Sequence, residues 1–375
     1  MTASDDPEAP QPLVVGVPTE VKDDERRVAI TPDGVSELRA AGVDVLVQAG
    51  AGRGSALPDE AFRAAGADIV PSADEVWERA ELVCKVKEPQ AEELVHLRAD
   101  LVLFTFLHLA AYPKVAHALV ESGATAFAYE TVQRDDGRLP LLAPMSEVAG
   151  RLAVQAGARF LEAPQGGRGV LLGGVPGVRP ARVVVLGAGN VGWNAAWIAA
   201  GMEAEVVLLD KDLDRLRWVD QIHRGRISTL ASNRGAVERV VPEADLVIGA
   251  VLVPGGRAPV VVTDDMVRSM TPGAVIVDTA VDQGGCVAST RETTHHDPVF
   301  EHHGVIHYCV GNMPGAVPNT STRALTNATL PYIVELARLG PERACAADPV
   351  LAAGRNVQAG VVTNPAVAEA LAVVA

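Results

Sequence analysis

From residue 13 onward, short runs of Val, Leu and Ile alternate with amphipathic stretches. Leu13–Val17, Val43–Gln48, Leu82–Val86, Leu101–Phe106 and Ala124–Ala128 are brief and apolar, and they predict strands. Between them, Pro32–Ala41 and Tyr112–Ser122 carry apolar residues at helical spacing. Gly42 and Gly123 follow as helix stops. Such alternation predicts βαβ units and a parallel sheet. Ser146–Ala163 reads as one long helix rich in small residues, with Ser146 as its cap. A glycine-dense linker at 166–180 separates it from a second α/β series. The strands of that series are Arg182–Leu186, Ala204–Leu209, Leu246–Val251, Ala274–Asp278 and Val305–Val310. Ser321–Leu339 reads as another long helix, kinked or interrupted near Pro331, which lacks the N–H the helix needs. The fold class expected is α/β: two Rossmann-like, doubly wound parallel-sheet domains, the first discontinuous. Its catalytic domain takes residues 13–140 and 319–375, and the nucleotide domain takes 141–318.

The second series opens on RVVVLGAGNVGWNAAWIAAGMEAEVVLLD. Gly187, Gly189 and Gly192 give G-x-G-x-x-G between a strand and a helix. The first glycine permits the tight turn, the second lets the backbone approach a pyrophosphate, and the third lets helix and strand pack closely. Asp210 ends the next strand, where a carboxylate binds the ribose 2′-hydroxyl and repels a 2′-phosphate. The expected cofactor is therefore NAD rather than NADP. Lys211 follows and reads as a solvated surface lysine. Trp193, bulky beside the last glycine, is expected to shift helix packing.

Composition narrows the classes. The chain has 375 residues and a formal net charge of -15, which disfavours nucleic acid and anionic lipid as partners. No apolar run reaches the roughly 18 residues that span a bilayer. The acidic, Pro-rich residues 1–12 lack the form of a signal peptide and read as a disordered tail. Cys84, Cys286, Cys309 and Cys345 are scattered without a CxxC pair, so a cytoplasmic location is expected. His295, His296, His302, His303 and His307 fit no closed zinc spacing, and no metal is assigned to them.

Polar residues at strand ends supply candidate chemistry. Arg27 lies in the loop after the first strand. Lys85 and Lys87 share a face in LVCKVKEP, His108 ends LVLFTFLHLA, and Asp282 follows VDTAV. Ligands gather beyond the carboxyl ends of such strands. Each residue also has a plainer reading: a core histidine, a solvated arginine, an edge-strand lysine, a turn aspartate, a capping serine.

The runs PTEVKDDERRVAITP, KVKEP, LFTFLHLA, LPLLAPMSEVAGR, QGGRGVLLGGVPGV, DLVIGAVLVPG, DQGGC, NMPGAVPNTST and ALTNATLPY, in this order, resemble the alanine dehydrogenase family. The alpha subunit of proton-translocating transhydrogenase is a relative of it. The resemblance implies reversible NAD-dependent oxidative deamination of L-alanine to pyruvate and ammonium. It also implies a homo-oligomer, a hexamer, with substrate bound between a catalytic and an NAD domain. By it, Arg27 and Lys87 hold the substrate carboxylate, His108 is the general acid/base, and Asp282 is the catalytic carboxylate. Ser146, Asp210, Arg215, Ser232, Val251 and Asn312 match cofactor-contacting positions. Asn319 stands where a basic residue is common in the family. The alternatives are a transhydrogenase-type subunit, another amino-acid dehydrogenase, and a catalytically silent NAD-binding regulator.

Overall fold

The computed structural model describes residues 11–251 and 258–374. Most of the expected N-terminal tail and part of the run DLVIGAVLVPG lie outside the described residues. The chain divides into two compact units, Met1–Met145 with Val317–Ala375, and Ser146–Ala316.

Unit 1 is built on an eight-stranded sheet. Its strands are β1 (Val15–Val17), β2 (Val45–Gln48), β3 (Asp68–Val70), β4 (Leu82–Cys84), β5 (Val102–Thr105) and β6 (Thr125–Ala128). The late strands β14 (Arg355–Gln358) and β15 (Val361–Val362) complete it. The order is β15-β14-β6-β5-β4-β1-β2-β3. Strands β1 to β6 are mutually parallel, while β14 and β15 add antiparallel pairs at one edge. Central strands buried on both faces read as continuous apolar runs, and VLFT and LVC conform to that.

Unit 2 holds β7 (Arg182–Leu186), β8 (Glu205–Asp210), β9 (Ile227–Ala231), β10 (Leu246–Gly249), β11 (Val275–Asp278), β12 (Val299–His302) and β13 (Val305–Tyr308). Their order is β12-β13-β11-β10-β7-β8-β9. Only β12 runs antiparallel, as an edge hairpin on β13. Apolar clusters cover both faces of this sheet.

Both sheets contain the same walk. Counting only the parallel strands of each unit, six run 3-2-1-4-5-6, with the order reversing between β1 and β4, and between β7 and β10. The fold class is the expected one, with antiparallel strands added at the edges. At a reversal the flanking loops leave in opposite directions and open a crevice beyond the strand ends. That topology selects where each unit holds a ligand.

Two long helices differ from their predicted form. The first runs Ala143–Phe160, so Ser146 lies inside its first turn and is not its cap. Pro144 starts it, since a missing N–H costs nothing in the first turn. Gly150 and Gly157 let this helix close on its neighbours: a Cβ at Gly150 would stand 2.2 Å from the Val191 carbonyl oxygen. The second runs Pro318–Ala347, and its one non-helical residue is Gly340 (φ 71°, ψ 165°), ahead of Pro341. Pro331 continues the helix. The break falls where a glycine can take positive φ and the residue before a proline avoids the helical region. Trp193 is half-buried against the core on one face of the sheet and lies tilted on Trp197 and Trp218, while Gly192, Ala195, Ala196 and Ala199 form the buried side of their helix.

Candidate active site and dinucleotide cradle

In unit 1 the crevice lies beyond β1 and β4, and the loops after these strands carry Arg27 and Lys87. Arg27 is 2% exposed. Glu25 accepts from its Nε at 2.7 Å and from Nη2 at 2.5 Å, and the Met145 Sδ lies 3.1 Å from Nη1. Two parallel bonds to one carboxylate fix the guanidinium plane.

Strand β4 ends at Cys84, earlier than predicted, and the two lysines after it have different surroundings. Lys85 is buried and its ammonium pairs with Glu20 at 3.1 Å and Glu93 at 2.8 Å. These acids raise its pKa against the opposing effect of burial. Glu20 also accepts from the Val86 and Lys87 backbone N–H groups at 2.5 and 3.3 Å. One buried carboxylate thus shapes the turn that presents Lys87. Lys87 has no hydrogen-bond or ion-pair partner for its ammonium among the described residues. Burial, then the charges of Arg27 and Lys22, push its pKa below the ordinary lysine value. A cation in this setting gains from any anion that enters.

His108 follows β5, the strand beside β4. Phe106 N–H donates to the Val86 carbonyl at 3.3 Å, and Thr105 Oγ1 donates to the Lys87 carbonyl at 2.9 Å. The two strand ends are therefore tied together. His108 has φ 46°, a left-handed conformation that few non-glycine residues adopt. Glu130 secures it by accepting from the His108 N–H at 2.6 Å and from the Leu107 N–H at 3.2 Å. The imidazole stacks flat on Phe106, with centroids 5.6 Å apart, and is 40% exposed. This is a half-open ring on a rigid support, unlike a buried core histidine.

Beyond Tyr112, Lys22 donates to Glu88 at 2.6 Å and to the Tyr112 hydroxyl at 3.0 Å. Glu20, Glu25 and Glu130 were not singled out from sequence. Only tertiary contact distinguishes them from the chain's other acids.

In unit 2 the loop after β7 has the form a dinucleotide requires. Gly187 has φ 104°, and a Cβ there would lie 2.4 Å from the Ala250 carbonyl oxygen. At Gly192 a Cβ would overlap the Gly187 oxygen at 1.7 Å. Gly189 is different: its Cβ would meet only Arg215 Nη1, at 3.8 Å. The outer two glycines are demanded by the protein's own backbone, while the middle one faces open space. It caps the helix Asn190–Gly201 with no side-chain bond, which leaves N–H groups at the positive end of the helix dipole. Asp210 receives the Ala188 N–H at 2.5 Å and the Asp212 N–H at 2.8 Å, with Arg215 Nη1 at 3.9 Å. These residues fit NAD.

Ser232 joins this edge through its N–H bond to the Asp210 carbonyl, 2.8 Å. Val251 follows Ala250, whose N–H bonds to Leu186. Ser146 belongs to the helix Ala143–Phe160, in the same unit. Asp282 lies in the short turn Val281–Gln283, exposed, with Oδ1 3.2 Å from where a Cβ on Gly311 would stand. Asn312, next in sequence, has φ 56° and presents its carbonyl to His295 at 3.3 Å. The loop bearing Asp282 winds around Asp278. This wholly buried carboxylate accepts from Ala280, Cys286 and Val287 N–H groups and from the Thr290 hydroxyl.

Family models for the alanine dehydrogenase/PNT N-terminal and C-terminal domains match residues 16–149 and 153–365. An alanine dehydrogenase of Mycolicibacterium smegmatis is 56% identical over 96% of this chain and 97% of its own. The chain belongs to the alanine dehydrogenase family. As a member it is an NAD-dependent oxidoreductase. The Bacillus subtilis alanine dehydrogenase is 54% identical, covering 96% of this chain and 95% of that one. A solved L-alanine dehydrogenase superposes with a TM-score of 0.93 at 50% identity, over 97% of this chain and all of the other. A transhydrogenase from Sinorhizobium meliloti gives 0.82 at 26% identity, over 93% and 100%. The transhydrogenase-type alternative is thus the more distant branch.

Proposed function

We propose that the chain interconverts L-alanine with pyruvate and ammonium, with Arg27 and Lys87 holding the substrate carboxylate. The observation that carries this reading is the state of Lys87: a largely buried ammonium without a counter-ion, beside a buried arginine already paired by Glu25. A bound carboxylate supplies the missing negative charge.

NAD, when bound, takes up the hydride from the amino-acid Cα or returns it. The chain's residues hold its pyrophosphate at Gly187, Gly189 and Gly192 and its ribose at Asp210. Arg215, Ser232, Val251, Asn312 and Ser146 are the further contacts we assign to it. His108 moves protons: it accepts one as water adds to the imine carbon and returns one as ammonia leaves. Imidazole suits that task near neutral pH. Glu130 holds the backbone that aims the ring. Asp282 is assigned the stabilisation of positive charge that develops at the substrate nitrogen. In the reverse direction Lys87 polarises the pyruvate carbonyl.

We further infer a cytoplasmic hexamer, on the family relation and the four free cysteines. Assaying NAD reduction across a panel of L-amino acids tests the substrate. L-Alanine should give the highest kcat/KM, and a clear preference for another amino acid would replace this reading.

A further inference from the structure

We propose that Asp264, His302 and His303 form a binding site for a borderline divalent transition-metal ion such as Zn2+, Co2+ or Ni2+. The five histidines at 295–307 disperse in the fold. His307 is fully buried, with Nε2 2.7 Å from Ser289 Oγ and Nδ1 3.0 Å from the Val305 carbonyl. His295 turns to Asn312. His302 and His303 converge on one carboxylate, Asp264, which lies 38 positions before His302 in the chain.

The hairpin geometry produces this convergence. Strands β12 and β13 are joined by His303 and Gly304, whose φ values are 53° and 76°. Positive φ at both central residues is the turn form whose twist suits a two-residue hairpin. Consecutive side chains along a strand point to opposite faces. The left-handed His303 breaks that alternation, so its ring swings to the side of His302, with centroids 4.0 Å apart. Asp264 opens the helix Asp264–Arg268 after its cap Thr263. Its Oδ1 lies 2.7 Å from His302 Nε2, and its Oδ2 lies 2.9 Å from His303 Nε2.

The three ligand atoms all lie within 4.8 Å of one another. In a tetrahedral zinc site, ligand atoms stand roughly 3.3 Å apart. An ion would take the place of the protons on the two Nε2 atoms as the ligand atoms adjust to that spacing. All three residues retain solvent access, which leaves water to complete the coordination. Two imidazoles and one carboxylate select zinc-like ions over Mg2+ or Ca2+, which prefer all-oxygen sets. Arg268 is the local competitor, with Nη2 2.9 Å from Asp264 Oδ2 and 3.4 Å from His303 Nε2. It also pairs with Asp265 at 3.0 Å and keeps that partner when it yields Asp264 to a metal. The site sits at the edge strand β12, four places from β7 in the sheet, and is separate from the glycine loop.

The test uses full-length, chelator-stripped protein titrated with Zn2+ by calorimetry and with Co2+ by visible absorption. The expected result is a single ion per chain with nitrogen-containing coordination in the Co2+ spectrum. His302→Ala/His303→Ala should weaken it by more than the roughly 10- to 100-fold caused by losing an outer-shell partner. His295→Ala/His296→Ala should leave it unchanged. Arg268→Ala, which removes the competing cation, should tighten binding. Circular dichroism checks that each variant is folded. Unaltered binding in the His302/His303 variant, weaker binding in Arg268→Ala, or no stoichiometric ion in the wild type would each overturn the proposal.

Discussion

The His108 backbone N–H donates to Glu130 Oε1 at 2.6 Å, and the same oxygen lies 3.9 Å from His108 Nδ1. Glu130 thus holds the left-handed backbone of the proposed proton carrier and stands beside its ring edge. Glu130→Ala removes the acceptor and frees the 107–108 backbone. A misplacement of about 1 Å costs around 100-fold in rate. We expect a kcat loss of about 10- to 100-fold with NAD affinity unchanged. Glu130→Gln keeps an acceptor oxygen and should recover most of the loss. Equal kcat values for Glu130→Ala and wild type, by steady-state kinetics on folded protein, would remove Glu130 from this role.

Lys87 poses a stability–function trade. Its pKa is lowered by burial and by Arg27 and Lys22, so the unfolded chain binds the proton more tightly than the folded one. Stability therefore rises with pH as it climbs from the lowered folded value toward the ordinary lysine range. Lys87→Met removes the unpaired charge and keeps the aliphatic stem. It should stabilise the fold by about 0.5–2 kcal/mol, in the range of single favourable substitutions, while sharply raising the pyruvate KM. Urea unfolding and initial rates measure the two effects. A destabilised variant would mean that Lys87 has a structural partner instead.

Much of the fold was legible because strands buried on both faces must be apolar: VVVLG, LVLFT and VIVD announce themselves. The strand RNVQ at Arg355–Gln358 does not, since it is polar and pairs antiparallel beside β6. Gly187 and Gly192 were legible because backbone geometry demands glycine there, and Gly189 because it completes the motif between them. Ser146 was misread as a cap because a proline at residue 144 serves as well to start a helix. The separation of Lys85 from Lys87 was hidden for another reason. Which lysine finds acids depends on Glu20 and Glu93, brought in from other parts of the chain. The same holds for Glu25, Glu130 and Asp278, whose meaning is tertiary.

Acid sensitivity should trace to His307. Burial lowers its pKa to about 4, so the unfolded chain takes up a proton from about pH 6.5 downward while the folded chain stays neutral. The contribution is intact above pH 6.5 and is lost as pH falls toward 4. Linkage puts the loss near 2 kcal/mol at pH 5. His307→Gln should flatten the decline in urea midpoint between pH 7 and pH 5. A decline of unchanged steepness would assign the acid sensitivity elsewhere.

Asp210 should govern cofactor choice. Its carboxylate repels a 2′-phosphate, so the wild type should use NAD and reject NADP. Asp210→Asn removes the charge and keeps one acceptor oxygen, enough for one of the Ala188 and Asp212 N–H groups. It should narrow the NAD-to-NADP preference in kcat/KM without unfolding the loop. Substantial NADP use by the wild type would contradict the assignment.

The central claim, proton transfer by His108 on a carboxylate-anchored amino acid, is tested most directly by the steady-state rate of His108→Ala with L-alanine and NAD. A general acid/base contributes about 100- to 10,000-fold, so kcat should fall by that factor while NAD affinity, measured by fluorescence titration, holds. A folded His108→Ala enzyme with near-normal kcat would return His108 to a structural residue and contradict the mechanism.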